Sequence, residues 1–178
     1  MQVIEAMEKK AKIIYITGGE RSGKSSYARQ RALQLSDKPV YLATAQVKDA
    51  EFAARVARHK AARGDQWQLI EKPFAISGMK LEDRVVVLDC ITLWLTNIFF
   101  REEQDKEKSL AWAKNEWDKF MNQSMYCIVV SNELGMGVHG ERQLTRDFVE
   151  LQGWMNQHIS ATADEAWLMV SGIPLRLK

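Results

Sequence analysis

The chain contains five continuous apolar runs, which predict the strands of one sheet. Continuous rather than alternating runs are typical of strands that are covered by helices on both faces. The runs are residues 13–17, 39–44, 85–89, 126–131 and 166–171. A shorter apolar run at 67–71 is a candidate for a further strand.

Segments with helical periodicity lie between these runs, at residues 24–35, 50–62, roughly 107–123 and 141–161. The alternation of strands and helices predicts an α/β fold of the P-loop NTPase type, an open, mostly parallel sheet with helices on both faces, in a single domain.

The pattern of apolar residues in the helical segment at roughly 107–123 predicts which face of that helix is buried. Five of its apolar residues recur at helical spacing, which is typical of a stripe that faces the core. They are Leu110, Ala113, Trp117, Phe120 and Met121. Trp112 lies off this stripe, and we interpret it either as an ordinary surface aromatic or as a subunit contact.

The most hydrophobic stretch, residues 85–100, does not predict a membrane span. It is shorter than the roughly 20 residues that a helix needs to cross a bilayer, and it contains Asp89 and Asn97. We expect a buried strand that runs into a helix, and no stable membrane insertion. Residues 1–12 carry no apolar secretory core, so we expect a cytoplasmic protein with a short N-terminal extension.

Composition narrows the classes of partner. The chain of 178 residues has 25 basic and 23 acidic residues, a formal net charge of +2. This balance predicts no general attraction to nucleic acid or to anionic membranes. The two cysteines, Cys90 and Cys127, lie at the edge of and within apolar runs, and we expect buried, reduced thiols.

A glycine-rich turn after the first apolar run carries the strongest chemical signal. It matches G-x-x-x-x-G-K-[ST], with a predicted strand before it and a predicted helix after it, which is the context that a P-loop requires. Its residues are Gly18, Gly19, Glu20, Arg21, Ser22, Gly23, Lys24 and Ser25. Backbone N–H groups of such a turn bind phosphate, Lys24 neutralises the β/γ-phosphates, and the Ser25 hydroxyl is a ligand for Mg²⁺. Asp89, at the end of a neighbouring strand, is the second predicted Mg²⁺ ligand.

A histidine among arginines follows the second run. Arg55, His59 and Arg63 recur at i, i+4 and i+8, which places them along one stripe of a helix. Guanidinium groups disfavour the imidazolium and bind phosphates, so a neutral His59 is suited to attack an α-phosphorus. A histidine on a basic helix is more often a solvated surface residue, and this stretch alone leaves both interpretations open.

Several blocks together resemble one known family. In order, they are "TGGERSGKSSYA", "YLATAQVKDAEFAARVARHKAARGDQW", "EKP", "VLDCITLWLTN", "SNELGMGV" and "ADEAWLMVSGIPLRLK". They are similar to blocks of the bifunctional adenosylcobinamide kinase / adenosylcobinamide-phosphate guanylyltransferase family of cobalamin assembly. The resemblance extends from residue 13 onward, and so defines a nucleotide-binding domain at 13–178.

The resemblance implies two consecutive reactions: phosphorylation of adenosylcobinamide with GTP or ATP, then transfer of GMP from GTP to that phosphate. It implies that His59 carries GMP, and that the active protein is a homo-oligomer, a trimer. Some relatives have a second histidine where this chain has Arg58, so His59 is the one local candidate. The resemblance also implies contacts with guanine nucleotide at Thr44, Ala45, Gln46, Lys60, Ala61, Ala62, Arg63 and Glu71.

Other functions stay open on the sequence. A P-loop kinase of another small molecule would use Lys24 but leave His59 as a surface residue. A nucleotide-dependent binding or switch module is a different class, although the chain has no N-K-x-D guanine motif. The base for the acceptor hydroxyl is not evident, and Glu133 at a strand end is our hypothesis for it.

Overall fold

The structure of the protein, a computed structural model, describes residues 10–46, 66–137 and 140–178. In these ranges the chain forms one seven-stranded sheet. The strands are β1 (Lys12–Gly18), β2 (Val40–Ala43), β3 (Gln68–Glu71), β4 (Val85–Asp89), β5 (Tyr126–Val130), β6 (Glu165–Val170) and β7 (Ile173–Arg176).

The order of strands across the sheet is β3-β2-β4-β5-β1-β6-β7. β1 to β6 are parallel, and β7 turns back as an antiparallel edge strand on β6. Ala43 is level with both Glu71 and Asp89, and Asp89 is level with Val130, so these strands end along one edge. The strand order places β5 between the strand that precedes the P-loop and the strand that ends in Asp89.

Four described helices cover the sheet: α1 (Lys24–Leu35), α2 (Ile91–Arg101), α3 (Lys106–Met121) and α4 (Gln143–Thr162). Alternate residues of β1 face opposite layers, because side chains alternate along a strand. Ile14 and Ile16 pack with α1, while Ile13 and Tyr15 pack in the larger layer formed with α2, α3 and α4. This arrangement confirms the predicted α/β sheet with helices on both faces.

The stripe predicted for α3 is confirmed. Ala113, Trp117 and Phe120 are buried in the larger layer, and Leu110 and Met121 pack against it partly buried. Asp105 begins the helix, since its side chain accepts a hydrogen bond of 2.9 Å from the backbone N–H of Lys108. Trp112 has a partner within the chain: its ring stacks on Phe74 at an interplanar angle of 13°.

Most predicted boundaries agree with the structure to within two residues, and the short run at 67–71 is a strand, β3. One strand, β7, is absent from the sequence-based prediction. β6 ends at Val170 because Ser171 and Gly172 have φ values of 50° and 85°, which turn the chain back on itself. The helix predicted at 50–62 lies outside the described residues.

The remaining expectations on packing also agree. Cys90 and Cys127 are buried free thiols, and burial raises the pKa of each to about 12. The stretch at 85–100 contains β4, Cys90 and all of α2 except its last residue, Arg101. Within the described ranges, no helix is long and apolar enough to cross a membrane.

Candidate active site

The P-loop is a turn that joins the buried strand β1 to helix α1. The backbone N–H of Ser22 donates to the carbonyl of Gly19 at 3.3 Å, and the N–H of Tyr27 donates to the carbonyl of Gly23 at 3.0 Å, in the first turn of α1. The helix therefore begins directly at the end of the loop, where its N–H groups and the positive end of its dipole favour an anion.

Two glycines of the loop are required by geometry. Gly18 has φ 148°, and a Cβ placed on it would lie 2.5 Å from the carbonyl oxygen of Met169 and 2.8 Å from Ser22 Oγ. Gly23, the residue before α1, has φ 97°, and its Cβ would lie 3.2 Å from the Cα of Gly172. Both positions combine a positive φ with close neighbours, which is the combination that glycine alone tolerates.

The loop is held from two other parts of the chain. The backbone N–H of Gly172, in the β6–β7 turn, donates to the carbonyl of Ser22 at 2.9 Å. On the other side, the N–H of Glu133 donates to the carbonyl of Gly18 at 3.0 Å. These bonds hold the loop between the segments that follow β5 and β6.

Lys24 lies against this loop. Its Nζ donates to the carbonyl of Gly19 at 2.5 Å and lies 3.5 Å from Ser22 Oγ. The residue is 7% exposed, which is unusual for lysine and places its charge inside the loop rather than in solvent. The ammonium group is thus held where phosphate oxygens would meet it.

Asp89 ends β4 at the same edge of the sheet. Its side chain is partly exposed, and its Oδ2 accepts a hydrogen bond from the hydroxyl of Tyr41 on β2. The thiol of the next residue, Cys90, is affected by the charges of both Asp89 and Lys24. Burial and the charge of Asp89 raise the pKa of the Cys90 thiol to about 12, although backbone hydrogen bonds and the charge of Lys24 act to lower it. The carboxylate and the ammonium group therefore both act on one buried thiol.

The loop after β5 is held by a buried polar cluster beside the P-loop. Ser131 Oγ donates to Asn156 Oδ1 at 2.6 Å and accepts from Gln152 Nε2 at 2.8 Å. Asn156 Nδ2 in turn donates to the carbonyl of Asn132 at 3.1 Å. Glu133 follows directly, and its Oε1 accepts from the N–H of Gly135 at 2.6 Å. The cluster fixes the backbone from which Glu133 contacts the P-loop.

The predicted residues at the ends of β2 and β3 occupy the same edge. Thr44 is fully buried, and its hydroxyl donates to the carbonyl of Cys90 at 2.8 Å and accepts from the Cys90 N–H at 3.0 Å. Ala45 and Gln46 follow it and are partly buried, and Glu71 is exposed at the end of β3. The structure therefore brings these positions to the strand ends beside Asp89.

The remaining predicted site residues cannot be compared with the structure. His59, Lys60, Ala61, Ala62 and Arg63 lie outside the described residues. In the ranges that are described, no group of three or more His, Cys, Asp or Glu side chains is placed to hold a metal ion. Ser25 is partly buried in the first turn of α1, and its hydroxyl and the Asp89 carboxylate are oxygen donors of the kind that Mg²⁺ prefers.

Two residues that shape this site, Tyr41 and Gly172, have no predicted role in the sequence. Tyr41 lies within an apolar run, where an aromatic residue is ordinarily interpreted as core, and nothing in the run indicates that its hydroxyl reaches Asp89. Gly172 lies in the block "ADEAWLMVSGIPLRLK", and its being a glycine was the available signal. Its partner Ser22 is 150 residues away, so the contact is a product of the fold.

Most of the chain is similar in sequence to known proteins. The family model described as cobinamide kinase / cobinamide phosphate guanyltransferase matches residues 14–177. The bifunctional adenosylcobalamin biosynthesis protein CobU of Escherichia coli (strain K12) is 33% identical over 182 residues, which cover 93% of this chain and 99% of that protein. The protein of the same name from Salmonella typhimurium is 35% identical, with 93% and 99% coverage.

A third relative, the bifunctional adenosylcobalamin biosynthesis protein CobP of Pseudomonas aeruginosa, is 34% identical over 167 residues, covering 92% of this chain and 95% of its own. Among solved structures, the flagellar accessory protein FlaH from Methanocaldococcus jannaschii aligns with a TM-score of 0.46 and 16% identity, over 94% of this chain and 78% of that one. That likeness is too distant to bear on function.

Proposed function

The chain belongs to the cobinamide kinase / cobinamide phosphate guanyltransferase family, and from this premise we propose that it catalyses two consecutive transfers to adenosylcobinamide. In the first, the γ-phosphoryl group of GTP or ATP passes to the hydroxyl of adenosylcobinamide. In the second, GMP passes from GTP to the new phosphate, which yields adenosylcobinamide-GDP and pyrophosphate. The product is an intermediate of adenosylcobalamin assembly.

The observation that carries the kinase step is the preformed P-loop with Lys24 held inside it. Phosphoryl transfer needs positioning and stabilisation of the charge on the γ-phosphoryl oxygens more than it needs covalent chemistry. The backbone N–H groups at the start of α1 and the Lys24 ammonium group supply fixed positive charge at one place. Because the loop is braced by Gly172 and Glu133, this charge is arranged before the nucleotide binds.

Magnesium fits the donors at this edge. We assign Ser25 and Asp89 as its protein ligands, since the first lies in the first turn of α1 and the second ends β4. When bound, Mg²⁺ would neutralise charge on the phosphates. The hydroxyl of Tyr41 restrains the Asp89 carboxylate by its bond to Oδ2, so the chain itself orients this ligand.

The guanylyl step requires a group that attacks the α-phosphorus, and we propose His59 for it. One imidazole nitrogen forms a P–N bond as the P–O bond to pyrophosphate breaks, and a guanylyl-histidine results. An oxygen of the acceptor phosphate then attacks the same phosphorus and breaks the P–N bond, which returns neutral His59. Arg55 and Arg63, at helical spacing from it in the sequence, would bind the phosphates during both attacks.

We propose that the contacts with guanine nucleotide are made by the segments at the ends of β2 and β3 and by the residues that follow His59 in the sequence. The residues proposed for them are Thr44, Ala45, Gln46, Lys60, Ala61, Ala62, Arg63 and Glu71. We propose that the active protein is a cytoplasmic homotrimer, and multi-angle light scattering of the purified protein tests its stoichiometry.

Two variants separate the two transfers. His59→Ala should abolish acid-labile labelling of the protein by α-labelled GTP, while it retains phosphorylation of adenosylcobinamide. Lys24→Ala should lose the kinase step by about 10²-fold or more, because it removes the fixed charge on the γ-phosphoryl group. His158→Ala is the matched control, since His158 pairs with Asp118 at 2.7 Å between α3 and α4 and should leave both activities unchanged.

The outcomes discriminate between functions. Undiminished labelling of His59→Ala would exclude His59 as the nucleophile. Wild-type protein that phosphorylates a small molecule but never acquires label would be a P-loop kinase without a covalent intermediate. GTP hydrolysis that is slow and insensitive to adenosylcobinamide would instead indicate a switch or binding module.

A further inference from the structure

The side chain of Asn97 stands out among the buried polar groups near the site. It lies in the middle of α2, a helix otherwise packed into the apolar core, and it is 5% exposed. Burying an amide costs free energy unless its hydrogen bonds are satisfied. The partners of this amide are therefore informative about why a polar residue occupies this position.

Both hydrogen bonds that Asn97 Nδ2 donates end on backbone carbonyls just beyond the sheet. One goes to the carbonyl of Thr44 at 2.7 Å, one residue after β2, and the other to the carbonyl of Pro73 at 2.9 Å, two residues after β3. A single side chain thus joins the segments that leave two neighbouring parallel strands.

The backbone hydrogen bonds between these two segments end just before the carbonyls that Asn97 contacts. The last backbone bond between the two segments runs from the N–H of Lys72 to the carbonyl of Ala43 at 2.8 Å. Alternate residues of the β3 segment bond to the β2 segment, as Gln68 and Lys72 do, so Pro73 faces away from this ladder and its missing N–H removes no bond from it. Asn97 adds a side-chain connection from the helix, one residue beyond the last backbone bond on each segment.

A second side chain of α2 supports the same segment. Trp94 lies one helical turn before Asn97, so the two side chains share a face of the helix. Its Nε1 donates to the carbonyl of Phe74 at 2.6 Å, and its ring is fully buried. α2 therefore holds Pro73 and Phe74 through two successive carbonyls.

We infer that Asn97 is a positioning residue for guanylyl transfer, acting through the Thr44 and Pro73 carbonyls to hold the two segments that carry the nucleotide-contacting residues. The inference rests on the proposed function, because it takes Thr44 to Gln46 and Glu71 as the part of the site that receives the guanine nucleotide. The P-loop has separate braces, at Ser22 and Gly18. Loss of Asn97 should therefore affect nucleotidyl transfer more than phosphoryl transfer.

The test uses Asn97→Leu, which keeps most of the side-chain volume and removes both donors. Asn97→Ala is the second variant, in case the leucine variant does not fold. Its smaller side chain leaves space in which water can form hydrogen bonds with the two carbonyls. Ile98→Ala is the matched control: Ile98 is the next residue, is fully buried in the same core, and has no hydrogen bond to either segment. Far-ultraviolet circular dichroism and urea midpoints report folding for all three.

Two activities are measured on each folded variant: the GTP dependence of acid-labile labelling with α-labelled GTP, and phosphorylation of adenosylcobinamide with ATP. For the Asn97 variants we expect the GTP concentration at half-maximal labelling to rise at least tenfold, with kcat of the kinase step within threefold of wild type. Ile98→Ala should change both activities by the same factor, because it lowers stability without releasing the carbonyls.

Equal losses of both activities in the Asn97 variants, or unchanged labelling, would overturn the inference while leaving the proposed function intact. Wild-type protein that acquires no label would overturn the proposed function, and the inference with it. The two failures are distinguished by the wild-type measurement alone.

Discussion

Substitution of Gly18 by alanine tests whether the geometry of the P-loop is as tight as the structure indicates. The added methyl group would lie 2.5 Å from the backbone oxygen of Met169 on β6 and 2.8 Å from Ser22 Oγ. The serine hydroxyl can rotate away, but the carbonyl belongs to a strand paired with β1 and cannot. Gly18→Ala must therefore displace either β6 or the start of the loop.

The magnitude follows from two contributions. Overpacking against backbone in a well-packed region costs about 1–3 kcal/mol, and an alanine held at a positive φ costs about 1–2 kcal/mol more. Together they predict a loss of about 2–5 kcal/mol in the free energy of unfolding, which is a large share of the roughly 5–15 kcal/mol of a typical domain. For a chain of this size, Tm should fall by about 4–20 °C.

Gly19→Ala is the matched control, one residue along the same loop. A Cβ at Gly19 meets no atom within 4 Å, so we expect a change within about 0.5 kcal/mol. Urea unfolding followed by tryptophan fluorescence gives both free energies, and γ-phosphoryl transfer is measured in parallel. Equal stability of the two variants would refute the steric argument, because it would mean that the loop relaxes around Gly18 without cost.

Two further predictions concern ionisable groups that are not part of the P-loop. Because burial raises the pKa of Cys90 and of Cys127 to about 12, a disulfide reagent at pH 8 should modify neither thiol in the native protein and both in denaturant; rapid reaction of either native thiol would contradict their burial. Burial tends to raise the pKa of Glu165, but hydrogen bonds from Trp167 and Arg31 outweigh it and the pKa is lowered. The associated stabilisation is present above the unfolded pKa, about 4.3, and is lost as pH falls through the lower folded value. Urea midpoints of Glu165→Gln should therefore depend less on pH between 3 and 6 than those of wild type, and parallel pH profiles would contradict this.

Much of the fold follows from local pattern. Strands such as β4 and β5 are buried on both faces, so their apolar runs are continuous and their ends are clear. β7 escaped prediction because it is an edge strand: Ile173 and Leu175 are exposed, and Pro174 between them argues against a strand. Pairing on one side only makes that proline tolerable, and the sequence does not reveal which strands lie at an edge.

The candidate site also has a part that could be predicted from the sequence and a part that could not. The position of the P-loop between β1 and α1, and of Asp89 at the end of β4, could be predicted because contiguous residues and strand ends determine them. The hydrogen bonds of Tyr41 and Asn97 could not, since they depend on which distant carboxylate or carbonyl the fold places against these side chains. The roles proposed for His59 and its neighbours stay predictions, because they depend on the sequence pattern and the family.

The bond between Ser22 and Gly172 has a consequence for how the protein is made. The two residues are 150 positions apart, so at about 5–20 residues per second the phosphate loop emerges from the ribosome roughly 8–30 s before the residue that braces it. During this interval the loop has its sequence but not its final support. We therefore expect the hydrogen bond that holds the loop from the β6–β7 turn to form only after Gly172 has left the ribosome.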